Sequence, residues 1–453
     1  MAGRLGSRRG CVRLGQGGQV IRAVLPATIL ILTAALALSA GLAGCGTATS
    51  QEVTESGFLV STEDRDFSPV VAQDVTQTLV AGNNIFGLEL FREIRTDSDN
   101  LICSPYGLST VLAMTIAGAT GETEHEMAKV LHFDLAKAQL HDAFNGLDQA
   151  LSVSGEFKIA NALWGSDMYS YNQSFVDLLT RDYGAGLGIL DFTRTVEARA
   201  VINGWVSKET NGRIPELVGP DDFKVGTEPV LMLADAVYFK ADWEHQFPKG
   251  GKRDLPFHLL NGQMLDVPMM NQEEFFPNGK GDDFQAVELP YAGGRYSMVL
   301  VLPAEGTFED FASSVTDAKL GEILASLEQN QIEVLMPRFQ FSSTPKVEDA
   351  LKTLGMTKMF ENRGDFLGML DTSGPIPEGL WVGGVRQKAF IAVGELGTEA
   401  AAASAVTMVG GVGPPEEHNE ILLNRPFLYL IRDRDSGQIV FVGQVVDPSQ
   451  TAE

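Results

Sequence analysis

An α+β fold is the expectation for this chain, on three observations. Segments with apolar residues at helical spacing cluster early, segments with strand patterning cluster late, and no internal repeat divides the chain. With 453 residues and 44% hydrophobic side chains there is material for a large core, in one domain or two.

The first 44 residues stand apart from that body. Arg4, Arg8, Arg9, Arg13 and Arg22 make a basic region, Ala23 to Ala40 is an apolar run broken only by Pro26, and "LAGC" ends at Cys45. That order resembles a bacterial lipoprotein signal, in which residues 1–44 are removed and Cys45 is lipidated. An ordinary signal peptide and an uncleaved anchor are the alternatives, since the run is almost long enough to span a bilayer. "SRRGCVR" is a weak match to a twin-arginine signal. The expected location is outside the cytosol, lipid-anchored to the outer face of the cell membrane or extracellular. Without the leader, 29 basic residues face 59 acidic ones, a formal charge of −30. Phosphate binding needs clustered positive charge, so nucleic acid is not an expected partner. Cys11 leaves with the leader and Cys45 is the lipid site, so Cys103 has no internal disulfide partner and reads as a small core residue.

Residues 45–70 are polar and aperiodic, which predicts a flexible tether. The globular domain is expected over 71–450. "VAQDVTQTLVAGNNIFGLELFREI" has helical spacing, and "SPYGLSTVLAMTIAGAT" is apolar nearly all round, which predicts a buried helix starting at Ser104-Pro105. "ATGETEHEMAKVL" predicts a turn at Gly121 and a short helix with "ETEHE" exposed. "FKIANALWG" reads as a strand, and "TVEARAVINGWVSKETNGRI" as an amphipathic helix stopped at Asn211-Gly212. "PVLMLADAVYFKADW" reads as one long buried strand. "FQAVELPYAGGRYSMVLVLPAEG" is a hairpin turning at Gly293-Gly294. "QIEVLMPRFQFS" and "LWVGGVRQKAFIAVGEL" are further strands, and "PFLYLIRDRDSGQIVFVGQVVDP" is a closing hairpin.

Signals for catalysis are poor. The six histidines form no H-E-x-x-H pair, and no G-x-S-x-G elbow, P-loop or paired C-x-x-C occurs. Asp221-Asp222 and Asp282-Asp283 lie in turn-like sequence and read as solvated loop charge. No catalytic residue, metal ligand or cofactor is expected, and the protein does not read as an enzyme.

The segment "VGELGTEAAAASAVTMVGGVGPPEEHNE", residues 393–420, fits none of these elements. Four consecutive alanines favour helix, yet the segment has little apolar bulk to bury and lacks the charge of an ordinary linker. Its surroundings supply the explanation. "ILLNRPFLYLI", Ile421 to Ile431, resembles the serpin signature at every constrained position, and "GELGTEAAAAS", Gly394 to Ser404, resembles the serpin hinge. "NLICSPYGLSTVLAMTIAGATGETEHEM", "INGWVSKETNGRIPELV", "LADAVYFKADWEHQF" and "LDVPMMNQ" continue the likeness in the family's order, over essentially everything after the tether.

The resemblance implies a serpin fold: a large central sheet with smaller ones, about eight or nine helices, and an exposed reactive-centre loop at about 395–420. It implies a monomeric, irreversible inhibitor of serine or cysteine endopeptidases, in which a protease attacks the loop and the cut loop inserts as a new strand, trapping the acyl-enzyme. Glu395, Gly397 and Thr398 match the hinge. By the family's spacing the reactive bond is Gly411–Val412, with Met408 and Val409 as rival anchors because Pro415 to Pro426 is longer than in many members. In the region where the sheet opens, the matching positions are Ser104, Gly107, Asp235 and Gln387. Asp235 and Gln387 depart from the usual asparagine and histidine and are expected to bond each other. Trp243 matches the tryptophan at the top of the sheet, where its expected work is packing.

Whether this loop can insert follows from the residues themselves. Strand side chains alternate between faces. If Thr398 points inward, so do Ala400, Ala402, Ser404, Val406 and Met408, while Glu399, Ala401, Ala403, Ala405 and Thr407 point out. The inward set holds no charge and no proline, so neither a buried charge nor a lost ladder donor opposes insertion. Some 15–20 new backbone hydrogen bonds at about 1 kcal/mol each would release on the order of 10–20 kcal/mol. No Lys or Arg lies between Glu395 and Arg425, which points to elastase-like or subtilisin-like targets rather than trypsin-like ones. A non-inhibitory serpin and a tethered solute-binding protein remain as alternatives. The small-residue hinge counts against the first and the 421–431 signature against the second.

Overall fold

Two short strands come first, β1 (Glu52–Val53) and β2 (Phe58–Val60). The computed structural model describes residues 52–53, 57–223, 231–248, 253–361, 365–373, 380–398 and 419–450, all within the unit Thr49–Glu453. The leader and Cys45 lie outside them. α1 (Gln73–Ile94) buries Phe86 and Leu90, four residues apart on one face, in the principal core, and Leu88 and Phe91 in a second apolar cluster. After β3 (Leu101–Cys103), all twelve residues of α2 (Pro105–Ile116) are buried. Its start is the expected one: Ser104 Oγ accepts the Gly107 N–H at 3.2 Å, and Pro105 sits where no intrahelical donor is lost. α3 (Gly121–Val130), α4 (Lys137–Ser152), β4 (Phe157–Ser166), α5 (Gln173–Tyr183) and β5 (Leu187–Leu190) follow. α6 (Thr195–Glu209) stops before Asn211 and Gly212, whose φ values of 51° and 77° take the chain out of helical backbone.

The later half is mostly strand. β6 (Leu231–Phe239) and β7 (Ala241–Asp242) divide at Lys240 what reads as one strand in the sequence. β8 (Arg253–His258) and β9 (Met264–Lys280) precede the expected hairpin of β10 (Phe284–Pro290) and β11 (Tyr296–Pro303), which turns at Gly293 and Gly294 with φ of 86° and 71°. α7 (Phe308–Ser314) and α8 (Asp317–Ala325) lead to β12 (Glu328–Pro337) and β13 (Phe339–Ser343). These last two also read as one strand in the sequence, but Arg338 separates them and they belong to different sheets. α9 (Val347–Leu354), β14 (Val382–Gly394), β15 (Gly397–Thr398), β16 (Glu420–Leu422) and the closing hairpin β17 (Phe427–Asp433) and β18 (Ile439–Val445) complete nine α-helices among the described residues.

The strands form two nine-stranded sheets, so the α+β expectation holds. The first runs β1-β2-β5-β4-β6-β14-β15-β7, with β13 beside β14; the second runs β16-β12-β9-β10-β11-β17-β18-β3, with β8 beside β9. α6 lies across the first sheet, setting Ala198, Ile202 and Val206 against Ala160, Ala162, Met232, Ala234 and Ala236. Alanines on the sheet surface let the helix approach closely. The opposite face packs on α2 and the principal core, which takes in Cys103, fully buried with its thiol pushed well up by burial.

The tether expectation needs correction. From Phe58 on, the segment is part of the body: β2 pairs with β5 (Phe58↔Gly188, Leu59↔Leu187), and the Phe58 ring rests on Trp164 and Trp205 at 4.8 and 6.2 Å. Ser61 Oγ donates to Asp177 at 2.5 Å, and Arg65 pairs with Asp148 at 2.5 Å. Three apolar residues are too few to show periodicity, and so short a strand is stabilised only by the neighbours it pairs with, here β1 and β5. The acidic turn pairs are also partly engaged. Asp222 binds Arg386 and Asp283 binds Lys319, each at 2.7 Å.

Candidate functional site

The hinge is built where β14 ends. Glu395 and Leu396 turn the chain, and β15 returns antiparallel to β14 (Val393↔Thr398, Gly394↔Gly397). Its other edge pairs with β7 (Gly397↔Asp242, Thr398↔Ala241). A two-residue strand therefore already sits between these two elements. Position 397 has to be glycine, because a Cβ there would lie 2.1 Å from the Ala241 carbonyl oxygen.

A clamp of three aromatic residues holds the turn. The Trp243 indole N–H donates to the Gly394 carbonyl at 3.0 Å, its backbone N–H to the Leu396 carbonyl at 2.8 Å, and the Phe247 N–H to the Glu395 carbonyl at 2.9 Å. Trp243 stacks on Tyr291 with ring centroids 4.4 Å apart and planes 11° from parallel. The Tyr291 hydroxyl meets Thr398 Oγ1 at 2.7 Å, and Thr398 is 1% exposed. Thr398 thus points inward, as the hinge reading requires. The Glu395 carboxylate is paired with Arg338, the residue that joins the two sheets.

Below this clamp the sheet is closed. β14 and β6 run parallel and are paired directly from Val382↔Leu231 to Ala389↔Val237. The pairing stops there, and β15 occupies the fork that opens beyond it. Within the seam the four expected positions come together. Gln387 Nε2 donates to Asp235 Oδ2 at 2.5 Å and to the Ser104 carbonyl at 2.8 Å, while Gln387 Oε1 accepts the Ser104 N–H at 3.1 Å. Ser104 Oγ also donates to the Val440 carbonyl at 2.8 Å. Gly107 leaves the room: a Cβ on it would lie 2.5 Å from Asp235 Oδ1. Asp235 is fully buried, Oδ1 has no partner, and burial pushes its pKa up to about 8. The expected Gln387–Asp235 bond is present.

Other expected positions are not described. Glu399, Ala400, Ala401, Ala402, Ala403, Met408, Val409, Gly411 and Val412 lie outside the described residues. Four residues that complete the site carry no local signal in the sequence: Tyr291, Phe247, Arg338 and Asn161. Asn161 is paired opposite Asp235 in β4 and donates to the Gly107 carbonyl at 3.0 Å. Trp243 does more than the packing expected of it, since it also caps two carbonyls of the hinge. Among the described residues, no group of three or more His, Cys, Asp or Glu side chains is placed to hold a metal ion.

Comparison with known proteins agrees with this architecture. The family described as "Serpin (serine protease inhibitor)" matches residues 81–448. A leukocyte elastase inhibitor of Sus scrofa is 35% identical over 82% of this chain and 100% of its own length. An uncharacterized serpin-like protein of Thermococcus kodakarensis is 34% identical over 84% and 88%. Among solved structures, the thermophilic serpin tengpin in the native state superposes with a TM-score of 0.73 at 27% identity, covering 85% of this chain and 96% of that one. Serpin48 of the insect Tenebrio molitor gives a TM-score of 0.73 at 27% identity, over 82% and 98%.

Proposed function

The chain belongs to the serpin family, and from that premise we propose that it is an irreversible suicide-substrate inhibitor of elastase-like or subtilisin-like endopeptidases. The nucleophile of the protease attacks the Gly411 carbonyl. The Gly411–Val412 amide breaks, the Val412 nitrogen leaves with a proton, and Gly411 becomes the acyl group of an ester, or of a thioester with a cysteine protease. Insertion of the freed strand then carries the protease away and distorts its site before water can complete hydrolysis. The observation that supports this reading best is β15, a strand already begun at the mouth of a closed seam.

The pairings at that mouth define a register. Continued down β14 from Val393↔Thr398, they bring Ser404 opposite Gln387; continued down β6 from Ala241↔Thr398, they bring Ser404 opposite Asp235. Asp235 and Gln387 are themselves partners in the closed sheet, so the two extrapolations agree. Along β14 the odd-numbered residues from Val385 to Val393 are buried, which matches an inward set of Thr398, Ala400, Ala402, Ser404 and Val406. The Ser404 hydroxyl would then take over the bonds of the parted pair.

Incubation with pancreatic elastase and subtilisin tests the function. A covalent complex that survives SDS is expected, with loss of protease activity. Cleavage of the loop without a complex would mean a non-inhibitory serpin, and no cleavage near Gly411 would place the reactive bond elsewhere. We further propose that the protein is lipid-anchored at Cys45 after removal of residues 1–44, on the strength of "LAGC" behind a basic and apolar leader. Cys45→Ser is expected to shift the protein from the membrane fraction to the soluble one; unchanged membrane association would overturn the anchor.

A further inference from the structure

The seam between β6 and β14 carries a carboxyl group with no cation near it. From β6, Asp235 is flanked by Ala234 and Ala236. Facing it are the Cys103 thiol of β3, the Ser104 and Gly107 start of α2, Asn161 of β4 and Gln387 of β14. The neighbouring cations of β14 alternate to the other face, where Arg386 binds Asp222 at 2.7 Å and Glu348 at 3.4 Å. No ion pair reaches Asp235 among the described residues, and the one hydrogen bond described to its side chain comes from the strand that must move away.

We propose that Asp235 and Gln387 form a protonation-sensitive latch, which holds the sheet shut while Asp235 keeps its proton and loosens as the proton leaves. The proposal rests on the insertion reading above. In the closed seam a neutral carboxyl accepts the Gln387 amide hydrogen at little electrostatic cost. An ionised one puts an uncompensated charge among Cys103, Gly107 and Asn161, and its Oδ1 gains no donor. Burial raises the pKa of the carboxyl and the Gln387 hydrogen bond lowers it, burial being the larger effect. Once the strands part, water or the polar groups of an incoming strand can solvate the carboxylate. The pKa is higher in the closed sheet, so Asp235 supports closure fully at acid pH. That support declines as pH rises from the ordinary carboxylate range through about 8.

The test uses the full-length protein and a fluorescent synthetic peptide of sequence TEAAAASAVTM, which stands in for the inserting strand. Its rate of stable incorporation is measured from pH 6 to 9.5. The ceiling is about tenfold per pH unit, and partial hydration of Asp235 at the transition state gives about tenfold in all between pH 6 and 8, levelling above that. Asp235→Asn, which cannot ionise, is expected to take up peptide at a rate independent of pH. A flat profile in the parent protein, or an unchanged slope in Asp235→Asn, overturns the latch and leaves insertion standing. No incorporation at any pH overturns the insertion reading and the latch with it. Should Asp235→Asn not fold, infrared spectroscopy of the parent decides. A protonated-carboxyl band that titrates away near pH 8 in the closed protein is expected, and its absence overturns the proposal.

Discussion

Cutting the loop once near Gly411 is expected to raise the melting temperature by about 10–30 °C, the equivalent of 10–20 kcal/mol in a domain of this size. An ordinary loop, when cut, leaves a protein equally stable or less so, because the chain gains freedom and no contact is made. Here the cut frees a strand whose first two residues are already paired on both edges. Each further residue down the seam exchanges the direct β6–β14 ladder for two ladders, one on each side of the new strand. The inward side chains from Ala400 to Val406 are small enough to enter without overpacking. Calorimetry of the intact and the nicked protein measures the effect. A nicked protein that melts at or below the intact one would rule out insertion.

Thr398→Arg is expected to convert the inhibitor into a substrate, raising the number of molecules consumed per protease inactivated at least tenfold, since a penalty of about 1.4 kcal/mol already suffices for that. The residue is 1% exposed, its hydroxyl is bonded to Tyr291, and its strand partners Val393 and Ala241 are buried. A guanidinium there would be buried without a carboxylate, at a cost of several kcal/mol, or would push β15 out of the fork. In either case insertion starts late, and the acyl-enzyme has time to hydrolyse. Glu399→Arg supplies the control, because alternation directs that side chain to the outer face and its charge to water. It is expected to inhibit nearly as well as the parent. Titration of active elastase gives the stoichiometry for each variant. If both inhibit like the parent, strand insertion is not the mechanism.

Elements that speak through local periodicity were legible. α2 is apolar on every face and is buried on every face. The β10–β11 hairpin turns at the glycine pair the sequence marks, and α6 stops at Asn211-Gly212. Breaks within apolar runs were not legible: Lys240 ends a strand with no proline or glycine beside it, and at Arg338 the adjacent Pro337 does not by itself reveal that the chain changes sheet, which strand pairing decides. β2 was missed for a related reason: Phe58, Leu59 and Val60 make a strand only because β1 and β5 pair with them.

For the site, the sequence by itself determined the hinge chemistry. A run of small, uncharged inward residues, a glycine at 397 and a threonine at 398 are properties of the chain, and alternation alone assigns their faces. Only the tertiary structure decided what those residues meet. Arg338 and Glu395 are 57 residues apart, Tyr291 and Thr398 are 107 apart, and Ser104 and Gln387 are 283 apart. No local pattern encodes such pairs, since which side chain faces which is set by strand order and register. The same holds for the raised pKa of Asp235: an aspartate between two alanines looks ordinary until β4, β14 and the start of α2 close around it and remove its water.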